Sequence, residues 1–147
     1  DSTKAPTFVV WALKDPDSGN LDRIQIIKGW TKDGDTHEQV FDVACAGSDL
    51  PDPESHRCPN RTKAPDLTTC EPDTTSGAKT FNTWWRDPAF DPTENAFYYV
   101  RVLQVPTCRW STYDANRLGV EPSPLVPSAI RERAITSPIW YEPGVAE

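Results

Sequence analysis

Residues suited to common catalytic and metal sites are scarce in this 147-residue chain, which has two histidines, His37 and His56, and no methionine. Its four cysteines form no Cys-x-x-Cys pair, so tetrahedral zinc ligation has no usable spacing. Gly-x-Ser-x-Gly, a glycine-rich phosphate loop and His-Glu-x-x-His are also missing. A catalytic Ser-His-Asp triad has little support, because nothing in the sequence places either histidine beside a nucleophile. These absences predict no catalytic residues and no cofactor in this chain.

Positive charge and long apolar runs are also in short supply. Lys and Arg number 15 against 22 Asp and Glu, a formal net charge of −7. Nucleic-acid backbones and anionic membranes both require clustered cations, so neither is an expected partner. No run approaches the ~18 apolar residues of a membrane span, and the N-terminal residues of this sequence do not have the basic-then-apolar pattern of a leader. We expect a soluble chain, and its start at Asp1 without methionine suggests a mature or excised fragment.

Proline and tryptophan, by contrast, are plentiful, at fifteen and six residues. So much proline disfavours long helices, while tryptophan supplies large apolar area at few positions. Strand-like patterns recur between turn signals, and the strongest, at 96–105, is apolar on both sides and is predicted to lie in the centre of a sheet. The other strand-like segments are 7–13, 21–30, 37–45, 78–87 and a terminal one at 135–143. This pattern predicts one all-β domain over 1–147, an antiparallel β-sandwich of immunoglobulin-like type with long loops.

One or two short helical turns are expected beside the strands. The first candidate is 111–120, with Ser111 or Thr112 as N-cap and Gly119 as the stop. The second is 127–134, with the sequence PSAIRERA. Both segments are short, so neither changes the predicted all-β class.

A Pro-, Asp- and Thr-rich loop at about 46–77 contains two of the four cysteines. It has too few apolar residues to offset its chain entropy, so a disulfide would explain how it stays ordered. Four thiols allow three pairings. We favour Cys58–Cys70, which closes a short loop, and Cys45–Cys108, since each follows a strand-like run. A free pair in a reducing cytoplasm is the alternative.

The segment DPDSGNLD offers a choice between a metal site and a turn. Asp15, Asp17, Asn20 and Asp22 surround Gly19 as calcium ligands would. An EF-type loop, however, needs alternate oxygen ligands and an acid about twelve residues from the start, where this chain has isoleucine. We therefore keep these four residues as a weak calcium candidate and predict a solvated hairpin turn.

The aromatic residues are the more informative group of candidate functional residues. Tryptophan can line a sugar-binding face, but it is more often core, so most of the six are expected to be buried. The segment CRWSTYDANR follows the predicted central strand, at a position where a rigid scaffold presents functional residues. A loop pinned by salt bridges and a disulfide is the alternative. The candidate contact residues of this segment are Arg109, Trp110, Tyr113, Asp114 and Arg117.

Four segments together resemble one family: FVVWALKDPDSGNLDRIQIIKGW, FDVAC, FYYVRVLQVPTCRWSTYDANRLG and IRERAITSPIWYEP. They are similar, from about Thr7 to Pro143, to the C-terminal region of the bacterial domain of unknown function 3604. The resemblance implies much longer exported proteins whose N-terminal portion looks like a PHP-type (polymerase and histidinol phosphatase) metallohydrolase. That portion's histidine motifs cannot be carried over, because His37 and His56 form no His-x-His pair.

These observations lead to three functional hypotheses. The first is a non-catalytic accessory domain, periplasmic or secreted, whose partner is the absent N-terminal catalytic portion or another protein. In it, Arg109, Trp110, Tyr113 and Arg117 contact substrate or the neighbouring portion. The second is an independent secreted module that binds a glycan or a protein. The third is a small stand-alone hydrolase. A large apolar surface patch would favour the first, and exposed aromatics beside Asp, Asn and Arg the second.

Overall fold

The computed structural model describes residues 4–47 and 49–144. Within these ranges the chain forms nine strands and one helix, which confirms the predicted all-β class. No helix in the described residues is long and apolar enough to cross a membrane. The elements in chain order are β1 (Thr7–Leu13), β2 (Leu21–Lys32), β3 (Asp35–Cys45), β4 (Thr80–Arg86), β5 (Ala96–Gln104), β6 (Thr107–Cys108), α1 (Trp110–Leu118), β7 (Ala129–Ile130), β8 (Arg133–Ile135) and β9 (Ile139–Tyr141).

The strands form three antiparallel sheets. A five-stranded sheet has the order β3-β2-β5-β8, with β9 also pairing with β5. β1 and β4 form a two-stranded sheet, and the short β6 and β7 form another. The turn between β2 and β3 has positive φ at both Asp33 (52°) and Gly34 (89°). This is the geometry that an Asp-Gly hairpin turn requires.

The core lies between the five-stranded sheet and the β1–β4 sheet. Ile24, Ile26 and Tyr98 are almost completely buried on the inner face of the larger sheet. Phe81 of β4 packs with Ile24, and the ring centroid of Phe8 in β1 lies 4.9 Å from that of Tyr98. Burying these side chains stabilises the fold by about 2 kcal/mol each. Two sheets packed face to face in this way form the predicted sandwich.

Two sequence predictions for individual elements have opposite outcomes. β5 pairs with β2 on one side and with β8 and β9 on the other, so it is an interior strand as predicted. The helix predicted over 127–134 is wrong, because this segment forms β7 and β8. β7 bonds to β6 and β8 bonds to β5, so tertiary pairing outweighs the local helix preference.

The turn chemistry of DPDSGN is present, but the predicted hairpin is wrong. The amide N–H of Ser18 donates to the carbonyl of Asp15, which closes a turn. β1 pairs with β4, however, and β2 pairs with β3 and β5, so this segment connects two different sheets. The side-chain pattern explains this. Alternate residues of β1 are exposed, whereas the first nine residues of β2 are buried on both faces.

The predicted disulfide pairing is also wrong. The disulfides are Cys45–Cys58 and Cys70–Cys108, with sequence separations of 13 and 38 residues. Neither closes within the loop between β3 and β4. One ties the loop to the end of β3 and the other ties it to β6, directly before α1. A loop with little apolar surface is thus anchored to regular structure at two points.

A buried ionic network holds the same loop on the outer face of the five-stranded sheet. The carboxylate of Asp42 accepts hydrogen bonds from Arg23 Nη1 at 2.8 Å, Gln25 Nε2 at 2.6 Å and the backbone N–H of Cys58 at 2.7 Å. Asp22 accepts from Arg23 Nε at 2.6 Å and Arg131 Nη1 at 2.7 Å. Burial disfavours the charge on Arg23, but the hydrogen bonds and charges of the two carboxylates outweigh it and raise the pKa of the guanidinium.

Candidate functional site

Helix α1 carries most of the contact residues predicted from sequence, and its position is fixed from both ends. The Cys70–Cys108 disulfide lies just before it, and Gly119 ends it in the left-handed conformation at φ 65°. The helix begins at Trp110, so Ser111 and Thr112 are not N-caps as predicted. The hydroxyl of Thr112 donates instead to the carbonyl of Ser128 at 2.7 Å, which pins the helix to the chain before β7.

The spacing of the predicted residues places them on one face of α1. Trp110, Tyr113, Asp114 and Arg117 are related by steps of three and four residues, the spacing of neighbours on a helix surface. All four are exposed, at 67% for Trp110 and 43% for Tyr113. The opposite face buries Thr112 and Ala115. The sequence pattern therefore identified a set of side chains that share one exposed surface, which we call the α1 face.

Arg109 extends this surface and has an unusual environment. Its guanidinium carbon lies 5.9 Å from the centroid of the Trp110 ring, within the range of a cation–π contact. Its Nε is buried without a hydrogen-bond partner, the one such side-chain atom in the part of the chain that the structure describes. Leaving a buried donor unpaired costs about 1–3 kcal/mol. Arg109 is thus held partly against the body of the protein while its charge lies beside an exposed indole.

The β3–β4 loop supports the α1 face from behind. The hydroxyl of Tyr113 donates to the carbonyl of Cys70 at 2.9 Å. The side-chain amide of Asn116 donates to the carbonyls of Leu67 at 2.7 Å and Thr68 at 3.1 Å. The disulfide and these bonds fix the helix against a loop whose described residues form no strand. The Tyr113 ring is consequently positioned, and its exposed part is available for contact.

The weak calcium candidate is divided between two environments. Asp15 and Asp17 lie in the exposed turn, where the carboxylate of Asp15 accepts from the N–H of Asp17. Asn20 and Asp22 are buried. The amide of Asn20 donates to the carbonyls of Thr74 and Ser76, and the carboxylate of Asp22 is engaged by two arginines. The structure therefore does not bring the four side chains together as one ligand set.

The two histidines are packed against aromatic rings. The His37 ring stacks on Trp30 with centroids 5.2 Å apart, and His56 lies 4.9 Å from Phe41. Across residues 4–47 and 49–144, no group of three or more His, Cys, Asp or Glu side chains could hold a metal ion. The residues present thus do not fit the metal centre that the family resemblance implies for the N-terminal portion.

A second surface was missed by the sequence analysis, which expected most tryptophans to be buried. Four of the six are at least 67% exposed, so that expectation is wrong: Trp11, Trp84, Trp110 and Trp140. In the β1–β4 sheet, Val9 pairs with Trp84, and the outer face exposes four large apolar side chains at 70–78%: Val9, Trp11, Leu13 and Trp84. We call this surface the β1–β4 face. Both faces of the TFVVWAL segment are apolar, so its pattern gave no sign of which face the core would use.

Comparisons with known proteins identify one family. The model of a family described as "Protein of unknown function (DUF3604)" matches residues 1–143. No curated protein and no solved structure matches. The family match covers almost the whole chain and includes every residue of the α1 face and the β1–β4 face.

Proposed function

The chain belongs to the DUF3604 family of proteins of unknown function, and on this premise we propose that it is a non-catalytic accessory domain of a larger exported protein. In this proposal the domain packs on a metallohydrolase-like portion that supplies the chemistry. The β1–β4 face carries the proposal, since Val9, Trp11, Leu13 and Trp84 together form a contiguous apolar surface. Soluble monomeric proteins rarely expose large contiguous apolar patches, and such patches mark interaction sites.

The two disulfides support the exported location in this proposal. All four cysteines of the chain are paired. Structural disulfides persist in the periplasm and outside the cell, whereas a reducing cytoplasm keeps thiols free. Both bridges anchor a polar loop that has little apolar surface to bury. Periplasmic or secreted localisation therefore accords with the way this fold is stabilised.

The proposal is tested by measuring the intact mass of the native protein and the solvent exposure of its tryptophans. We expect antibodies to detect a species several times larger than the 16.5 kDa of this chain. Hydroxyl-radical footprinting of that species should show Trp11 and Trp84 protected relative to the isolated chain. A native species of 16.5 kDa, or equal oxidation of both tryptophans in the two samples, would falsify the accessory role.

The α1 face favours a second candidate function, an independent secreted module that binds a glycan or a protein. Exposed Trp110 and Tyr113 lie beside the charged Asp114, Arg117 and Arg109. Flat aromatic rings next to hydrogen-bonding groups suit recognition of polar ligands with apolar faces. Footprinting separates the two candidates, because a covered Trp110 with exposed Trp11 and Trp84 points to the α1 face as the contact.

The α1 face also has a direct genetic test. In the intact protein, changing Arg109 and Arg117 together to alanine should impair whatever activity or binding the face supports. Arg117 is exposed, and the buried Nε of the half-buried Arg109 has no hydrogen-bond partner to lose, so misfolding is not the expected cause. Changing Lys63 and Lys79, which are exposed and lie outside α1, gives a charge-matched control. Full function in the double arginine variant would count against a contact role for these residues.

A further inference from the structure

A cleft of about 560 Å³ opens at the end of the five-stranded sheet that carries the β2–β3 turn. It is distinct from both the α1 face and the β1–β4 face. Its lining comes from β2, β3, the start of β5 and the chain around β9. Four aromatic side chains contribute to its wall: Trp30, Phe97, Trp140 and Tyr141. A volume of this size accommodates a small organic ligand.

The position of the cleft depends on Gly29. A Cβ atom at this position would lie 2.3 Å from the Phe97 ring, so only glycine lets that ring lie over the strand. The Phe97 ring packs against Trp140 with centroids 5.3 Å apart. Trp140 nevertheless remains 67% exposed. Two adjoining rings are thus held in place while much of the indole surface is available to a ligand.

The charges of the cleft all have one sign. Glu38 and Glu142 line it together with the His37 ring, and neither arginine nor lysine is among its lining residues. Neither carboxylate has an ion-pair or hydrogen-bond partner within the described residues. The lysines of β2 are engaged elsewhere, since Lys28 pairs with Asp87 at 2.6 Å and Lys32 with Glu94 at 3.1 Å. The local charge of the cleft is therefore negative, in a chain whose net charge is −7.

We propose that this cleft binds a small organic cation, a primary or quaternary ammonium group carried on a compact apolar or hydroxylated body. Aromatic faces attract cations through their negative quadrupole, and unpaired carboxylates add a Coulombic term. Neutral ligands would gain only the contact with the rings. The proposal does not depend on the accessory role, because the cleft shares no residue with the β1–β4 face.

A similar contact between a cation, aromatic rings and a carboxylate occurs inside the protein. The ammonium group of Lys28 lies 5.1 Å from the centroid of the Trp30 ring and 6.0 Å from that of Tyr98. That cation approaches Trp30, one of the cleft residues, and is stabilised by both rings and the Asp87 carboxylate. A ligand cation against Trp140 and Phe97, beside Glu38 or Glu142, would reproduce the same combination at the surface.

The test compares choline with 3,3-dimethyl-1-butanol, which has nearly the same shape and no charge. Binding to the chain is followed by NMR chemical-shift changes and by tryptophan fluorescence. We expect choline to bind about fivefold or more tightly than the neutral alcohol, the ratio that a cation–π contact of ordinary strength gives. Equal affinity for the two compounds, or no shift with choline at concentrations of tens of millimolar, would overturn the proposal.

Variants locate the binding. Trp140→Ala should weaken choline binding about fivefold, and Glu38→Gln with Glu142→Gln should weaken it at least threefold while leaving the neutral alcohol unaffected. Trp84→Ala is the matched control, since Trp84 is 71% exposed on the β1–β4 face. Because Trp140 and both glutamates are largely exposed, each variant should keep the wild-type amide spectrum elsewhere. Choline affinity unchanged in Trp140→Ala, or reduced equally in Trp84→Ala, contradicts this site.

Discussion

At the scale of single residues, Asp42 is a buried carboxylate that links the five-stranded sheet to the β3–β4 loop. Its side chain is fully buried and accepts from Arg23, Gln25 and the N–H of Cys58. Asp42→Ala would leave the Arg23 charge only partly compensated and two donors without an acceptor. We predict a loss of about 3–5 kcal/mol in the free energy of unfolding, measured by chemical denaturation.

The control for this prediction is Asp17→Ala. Asp17 is exposed, and its carboxylate makes no hydrogen bond or ion pair with any other described residue. Its replacement should therefore change stability by less than about 0.5 kcal/mol. If Asp42→Ala proved as mild as Asp17→Ala, the network around Arg23 would not hold the loop to the sheet.

Tyr98 gives a prediction about pH. Burial first, and then the hydrogen bond to Asp87 at 2.7 Å and the Asp87 charge, raise the pKa of its phenol above the ordinary value. In the unfolded chain the phenol ionises near its ordinary pKa of about 10. The unfolded state therefore loses this proton first, so the stability that Tyr98 contributes is complete below about pH 10 and declines as the pH rises further.

The measurement is the free energy of unfolding of wild type and Tyr98→Phe between pH 7 and pH 11. The wild type should be more stable by about 1 kcal/mol at pH 7, and this difference should shrink above about pH 10. Tyr99→Phe, on the opposite face of β5, serves as the control. A difference that stays constant or grows up to pH 11 would show that the Tyr98 proton is not retained by the fold.

At the scale of elements, the two disulfides are expected to make different contributions. In the chain-entropy account, closing 38 residues stabilises by about 4 kcal/mol and closing 13 residues by about 3 kcal/mol. Replacing Cys70 and Cys108 by serine should therefore cost more than replacing Cys45 and Cys58. It should also release α1, because Tyr113 and Asn116 bond to the loop at the same place.

Denaturant unfolding of the two double variants measures the costs, and hydrogen exchange of the α1 amides reports the release. Peptide mapping of the non-reduced protein checks the pairing itself. Fragments that join Cys58 to Cys70 would contradict the arrangement on which this prediction rests. Faster α1 exchange in both double variants alike would show that the Cys70–Cys108 bridge has no special role in positioning the helix.

The elements also show how far sequence patterns reach in this chain. β5 and the β2–β3 hairpin were predictable because a two-sided apolar run and an Asp-Gly turn are local signals. The stop of α1 at Gly119 was predictable for the same reason. The pairing of β1 with β4, the strands within 127–134 and the cysteine pairing depend on contacts between distant segments. No local pattern encodes those contacts.

The candidate surfaces also differ in whether a local sequence pattern could predict them. Trp110, Tyr113, Asp114 and Arg117 lie within eight residues, so their common face follows from helical spacing once a helix is assumed. The cleft beside Trp140 joins residues from four parts of the chain, and the β1–β4 face exposes tryptophans that composition alone assigns to a core. The cleft and the β1–β4 face could be identified only once the packing of the two sheets was known.

At the scale of the whole molecule, the sandwich is unequal. A sheet of two strands lies over a sheet with five, and β1 pairs with no strand other than β4 within the described ranges. A groove of about 730 Å³ lies between β1 and β8, with Val100 and Val102 only half buried in its floor. Trp11 and Leu13 form part of its lining. The apolar β1–β4 face therefore continues around the free edge of β1 into the groove.

An apolar surface of this extent should make the isolated chain self-associate. We predict that Trp11→Thr with Trp84→Thr lowers both self-association, measured by sedimentation, and the fluorescence of the dye ANS, since it removes two rings that are 73% and 71% exposed. Threonine keeps a β-branched residue in each strand, so stability should change by less than about 1 kcal/mol. Trp110→Thr removes a ring of similar exposure from α1 and should leave self-association unchanged. A wild-type chain that stays monomeric and binds no dye would mean that this apolar surface has no strong tendency to associate and does not require a partner.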